Sequence, residues 1–231
     1  MAYGDDRNEL ATDAFTDDPF SSRFENGGGS WSAMAYDGTP DVVQAGSAYN
    51  HTTARRDTGE DWTEDQYVTV TFEGATTWQH ELGCCVRMKS GTDESAYVGI
   101  TQLTGLDDYE IWEMDSAFSF NMLATASPAI DTYAAGDTMT MECEGTALRF
   151  GSNESGGGDT QRVSTTDATI TAGDPGMYMY IAWPSDLSEC EYSDFAAGSI
   201  GVLGGVVRSL VGGGGMVAEG GMAGRSGGLV G

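Results

Sequence analysis

Apolar residues recur along this chain with a period of two, not of three or four. In Gln66–Phe72, QYVTVTF, Val68, Val70 and Phe72 fall on one side of an extended strand, and Tyr67, Thr69 and Thr71 on the other. The same alternation predicts strands at Leu82–Met88, Ala96–Thr101, Tyr109–Met114, Phe118–Ala124, Thr138–Cys143, Ala147–Phe150, Arg162–Ser164 and Met177–Ala182. Turn formers separate them, among them Lys89-Ser-Gly-Thr-Asp, Gly105-Leu-Asp-Asp, Ala135-Gly-Asp, Glu144-Gly, Asn153-Glu-Ser-Gly-Gly-Gly-Asp and Gly173-Asp-Pro-Gly. Little of the sequence reads as helix. Short strands at spacings of about ten residues, punctuated by Gly and Asp, predict an all-β jelly-roll sandwich in one domain.

The order of the pieces carries a resemblance. ATDAFTDDPF (11–20) and SWSAM (30–34) come first, then YVTVTF (67–72), LGCCVRM (82–88), AYVGI (96–100) and YEIWEM (109–114). AAGDTMTMECEGTALRF (134–150), TTDATITAGDPGMYMYI (165–181) and YSDFAAGSI (192–200) follow. This series resembles the concanavalin A-like lectin/glucanase jelly rolls, in particular the laminin-G-like versions common in phage and viral structural proteins. The resemblance covers residues 10–200. It implies an opening Asp-x-Phe strand beside a closing one, with a Gly-Asp-hydrophobic strand and a Gly-centred hairpin between them. It specifies fold better than function, since lectins, hydrolases and capsid or tail parts share the architecture.

Two segments flank that domain: an acidic leader, residues 1–9, and a tail, residues 201–231, in which thirteen of thirty-one residues are glycine. Glycine lets a backbone run close beside another protein. Val202, Leu203, Val206, Val207, Leu210, Val211, Met216, Val217, Leu229 and Val230 would add apolar burial along such an arm. Ordering the arm costs about 1–2 kcal/mol per residue, so only a large, multivalent contact offsets it. The tail is therefore expected to anchor the chain to capsid or other virion proteins and to sister subunits.

Charge narrows the partners. A formal net charge of −26 over 231 residues disfavours nucleic acid and anionic membrane surfaces. Lys89 is the single lysine. An acid-rich, lysine-poor surface suits high salt, and a GC-rich codon bias produces the same composition. The N-terminal MAYGDDRNELATDAF has no basic stretch leading into an apolar one, so no signal peptide is expected. Synthesis and assembly inside a host cell, in a virion, follow as the expectation. Cys84, Cys85, Cys143 and Cys190 allow three pairings. Cys84 and Cys85 face opposite sides of a strand, and intracellular synthesis favours free thiols.

Candidate chemistry is sparse. Hydrolases of this fold set paired acids on one strand. In EIWEMD, Glu110 to Asp115, Glu113 and Asp115 share a face and Trp112 would lie near a sugar, but the family's acid order is left incomplete by Ser116-Ala-Phe-Ser. Thirty-six acids make such a spacing expected by chance. The chain is read as a non-enzyme with no metal and no cofactor. Host surface glycans are a further expected partner, because an aromatic ring stacks on the apolar face of a sugar while acids accept its hydroxyl hydrogens. Trp62, inside the polar GEDWTEDQY, is expected to be the most exposed tryptophan, and Trp62 and Trp112 are the candidate sugar-stacking residues. The expected role is a virion structural protein, either capsid decoration or a tail or fibre part, with a carbohydrate-binding lectin-like module as the alternative.

Overall fold

The computed structural model describes residues 3, 7–17, 19–21, 23–26, 32–38, 41–56, 62–75, 80–89, 95–103, 108–115, 119–127, 133–153, 159–183 and 190–201. They form fifteen strands and one short 3-10 turn, Pro19–Ser21. The strands are β1 (Arg7–Asp13), β2 (Phe24–Asn26), β3 (Ser32–Gly38), β4 (Asp41–Ala45) and β5 (His51–Arg56). Next come β6 (Gln66–Ala75), β7 (His80–Met88), β8 (Ala96–Leu103), β9 (Tyr109–Met114) and β10 (Phe120–Ala126). The last are β11 (Thr138–Glu144), β12 (Ala147–Asn153), β13 (Thr160–Thr166), β14 (Asp174–Tyr180) and β15 (Cys190–Ile200). All nine strands expected from alternation are present, and Tyr109–Met114 matches to the residue.

The result is the expected jelly-roll β-sandwich. Sheet I runs β13-β12-β11-β6-β15, with β1 and β4 sharing the other edge of β15. Sheet II runs β10-β9-β8-β7-β14-β5, with β2 beyond β5. β3 joins the two: Ser32 and Ala33 pair parallel to β5, and Met34 to Gly38 pair antiparallel to β4. β1 lies antiparallel along β15 with Asp13 opposite Phe195, the neighbourhood that the resemblance implied. β1 starts at Arg7, so strand structure begins inside the stretch read as a leader. The assembly-arm positions from Val202 to Val230 lie outside the described residues, as do Trp31 and Trp78.

Alternation sets the core. Val68, Val70 and Phe72 of β6 and Met139, Met141 and Cys143 of β11 meet Leu82, Cys84 and Val86 of β7 and Met177 and Met179 of β14. Each buried side chain of this size contributes about 1.5–3 kcal/mol. β8 passes under the Phe150 ring at Gly99, where a Cβ would run into that ring. Tyr192 crosses from sheet I and ties into sheet II. Its hydroxyl accepts the Gly83 N–H (2.9 Å) and reaches the carbonyls of Gly83 and Tyr178, both at 3.0 Å.

All four cysteines are free and buried. Cys84 points into the core and Cys85 out of it, as neighbours on a strand must. Burial pushes both thiols up, and that of Cys143 to about 12, so these are inert side chains.

Candidate functional site on the outer face of sheet II

The alternation that sends Met177 and Met179 inward sends Tyr178 and Tyr180 outward, away from the sandwich core. A second apolar cluster lies there, on the far side of sheet II. Its floor is Cys85, Val98, Ile100, Met114 and Tyr178, with Trp112, Phe120 and Tyr180 half-buried around them. Neighbouring strands are about 4.8 Å apart, so β5 and β10, five steps apart in order, would lie about 24 Å apart on a flat sheet. The rings of His51 on β5 and Phe120 on β10 are 4.6 Å apart. The sheet is therefore strongly coiled and its outer face is concave, bringing His51, Tyr180, Phe120 and Trp112 into one site.

A chain of hydrogen bonds crosses that face from β5 to β7. Tyr178 Oη donates to Glu81 Oε2 at 2.6 Å and lies 2.6 Å from His51 Nδ1. A phenol has one proton. With Glu81 ionised that proton points to the carboxylate, so Nδ1 of His51 must donate, and the neutral imidazole carries its proton there. Burial lowers the His51 pKa and keeps the ring neutral at pH 7. Burial raises the Glu81 pKa, and the Tyr178 hydroxyl partly offsets that by hydrogen bonding to the carboxylate. On β9, Trp112 Nε1 donates to Glu110 Oε2 at 2.7 Å, which fixes the indole plane and buries Glu110 beneath it. Among the described residues no group of three or more His, Cys, Asp or Glu forms a metal cluster.

At the end of β5 and β14, two more aromatics stand in solvent. Tyr49 is 56% exposed and Trp183 47%, with their rings edge to face at 6.1 Å.

The structure separates the two tryptophans singled out in the sequence. Trp112 is on the concave face. Trp62 is half-buried against the main core instead of being the most exposed tryptophan. Its neighbours Thr63 and Glu64 take the solvent, and Trp183 is the exposed indole among the described residues. Glu113 is not on the concave face with Trp112. Strand alternation turns Glu113 the other way, where Asn121 Nδ2 donates to it at 3.4 Å, and Asp115 is exposed and accepts the Ser119 N–H. Sequence reasoning missed His51, Glu81, Tyr178 and Phe120. The alternation in Met177-Tyr-Met-Tyr180 was the available signal for an outward pair of tyrosines.

No protein-family model and no curated protein matches the chain. Solved structures do match in shape. The VIP36 exoplasmic/lumenal domain, in its Ca2+/Man3GlcNAc-bound form, superposes with a TM-score of 0.55 at 8% identity, covering 84% of this chain and 91% of that one. The CBM2 module of the evolved Dit of Lactobacillus casei BL23 phage J-1 gives 0.53 at 10% identity, covering 84% and 96%. The β-glucanase of Bacillus licheniformis gives 0.53 at 9% identity, covering 83% and 98%. At such identities the likeness concerns architecture alone, and that architecture is plain: the chain folds as a concanavalin A-like lectin/glucanase jelly roll.

Proposed function

We propose that the chain is a carbohydrate-binding, lectin-like module that holds its sugar on the concave face of sheet II. The observation that carries this is the juxtaposition of half-buried rings, Trp112, Tyr180, His51 and Phe120, with the carboxylates Glu81 and Glu110. The rings offer apolar faces. The acids offer acceptors, and Tyr178 spends its one proton inside the site. A ligand suited to this face brings hydroxyl donors and an apolar ring face of its own, which describes a sugar. Lectin and carbohydrate-binding neighbours of the same architecture support the reading.

Binding rather than hydrolysis is the second half of the proposal. Hydrolysis needs two carboxyl groups free to flank the scissile bond; on this face Glu81 is engaged by the Tyr178 hydroxyl and Glu110 by the Trp112 indole, and strand alternation turns Glu113 away from it. Trp112→Ala and Glu81→Gln are each expected to weaken glycan binding on the order of tenfold by calorimetry while leaving the unfolding midpoint within a few degrees. Glu113→Gln should leave binding unchanged, with no reducing ends released by the wild-type chain. Full affinity in both Trp112→Ala and Glu81→Gln would move the sugar elsewhere.

A second reading, a phage virion component, draws support from the phage J-1 Dit module among the structural neighbours. It is compatible with the first. Light scattering of the full chain against one truncated after Ile200 tests it. Defined oligomers from the full chain only are expected, and monomers from both would remove the anchoring role of residues 201–231.

A further inference from the structure

Among the described residues only Leu10, Tyr49, Met122 and Trp183 are large apolar side chains left in solvent, and two of them touch each other. Tyr49 sits at φ +61°, a left-handed conformation that glycine and asparagine favour and that a bulky aromatic residue rarely adopts. Asn50, which would suit that position, comes one residue later. The turn is nonetheless held firmly. Gly46 N–H donates to Ala33 O at 3.1 Å, Tyr49 N–H to Ile181 O at 2.8 Å, and the Asn50 side chain to Ser47 Oγ at 3.2 Å. A strained residue kept in place by its surroundings, with its ring in water against a second exposed ring, stabilises nothing inside the protein. Such strain points to use.

Its position indicates the use. Tyr49 lies two residues before His51, and Trp183 three after Tyr180. Two or three residues of chain span at most about 7–11 Å, so the exposed pair stands within that reach of His51 and Tyr180, at the end of β5 and β14 where the concave site stops. We infer that Tyr49 and Trp183 form a second stacking platform in line with the concave face, so that the ligand is an extended, uncharged glycan rather than a single sugar or an anionic one. The inference rests on the lectin-like reading above. Charge disfavours the anionic class: the site itself carries Glu81 and Glu110, and the chain a net −26, so sulfated or uronic glycans are repelled. Pre-formed rings on a pinned turn also lose little freedom on binding.

Calorimetry with neutral glucan and mannan oligomers of increasing length, and heparin oligomers of matched length, tests this on the full chain. Affinity for the neutral series should rise about tenfold from disaccharide to the longest oligomer, the size of one added stacking contact. Trp183→Ala and Tyr49→Gly should each remove that gain and leave disaccharide binding as it was. Tyr49→Gly should also hold or raise the unfolding temperature, because glycine relieves the strain. A length gain that survives both variants, or tighter binding of heparin than of neutral oligomers, overturns the inference. Disaccharide binding that is lost in Trp112→Ala but shows no length dependence overturns the platform and leaves the concave-face reading intact. If no neutral glycan binds the wild-type chain, both fall.

Discussion

Arg87→Met should lower the stability of the sandwich by about 4 kcal/mol or more, read in urea as a fall in midpoint at unchanged slope. Arg87 is 2% exposed and its guanidinium is fully committed. Nε donates to Glu64 O at 2.9 Å, one terminal nitrogen to Ile170 O at 2.8 Å, and the other to Gly145 O at 2.7 Å. Three connections meet there: the approach to β6, the β11–β12 hairpin and the loop before β14. Asp65 assists by accepting the Gly145 N–H at 2.5 Å. Gln66 does so by accepting the Arg87 N–H at 3.0 Å and donating to Gly173 O at 3.0 Å. Methionine fills the space but leaves three carbonyls without their donor, at about 1–3 kcal/mol for each that water cannot reach. Arg87→Lys should recover part of the loss and no more, since one ammonium cannot reach three divergent acceptors. A midpoint unchanged in Arg87→Met would mean that solvent replaces the guanidinium and that the three connections are independent.

The second large effect is expected at Asp13. This buried carboxylate closes β1. It is paired with Arg23, accepts from Arg56 at 3.1 Å and accepts the Phe15 N–H at 3.0 Å. Phe15 follows at φ +49°, packed in the core near Phe24, and Phe24 stands edge to face with Phe195 at 5.0 Å. Arg56 lies over the Phe24 ring at 5.1 Å and is 7% exposed in its side chain. Asp13→Ala removes the carboxylate facing that cation and the acceptor that holds Phe15. About 3–5 kcal/mol of destabilisation should follow, seen as a drop of about 2–4 °C in melting temperature per kcal/mol. Asp13→Asn, which keeps the acceptor for Phe15 but not the charge, should lose less. Equal losses in the two variants would assign the whole effect to charge and none to the turn.

These two sites also show where the sequence could be read and where it could not. β6 to β9 and β11 to β12 announce themselves because each strand carries its own alternation, a local property. The N-terminal strands do not. β5 reads HTTARR, with no apolar stripe. It is a buried strand because Arg55 finds Glu25 and Asp174, and Arg56 finds Asp13, on segments far away in the chain. The concave face was half legible. Tyr178 and Tyr180 follow from their spacing, and Trp112 from its strand. The partner that makes Tyr178 interesting, His51, is 127 positions away and meets it only because β14 pairs with β5. Trp62 defies its polar neighbours because Thr63 and Glu64 stand in solvent while the indole itself lies against the core.

Six of the nine arginines, Arg7, Arg23, Arg55, Arg56, Arg87 and Arg149, are turned inward and spent on carboxylates or carbonyls. They hold the sandwich together, but they add little positive charge to its outside. Seen from water, the molecule is more uniformly negative than its composition suggests, and it must travel inside a cloud of counterions. Copies brought close together, on a glycan-covered surface or on a particle, will hold one another apart until added salt thins that cloud. Their packing density should therefore be set by ionic strength before it is set by shape.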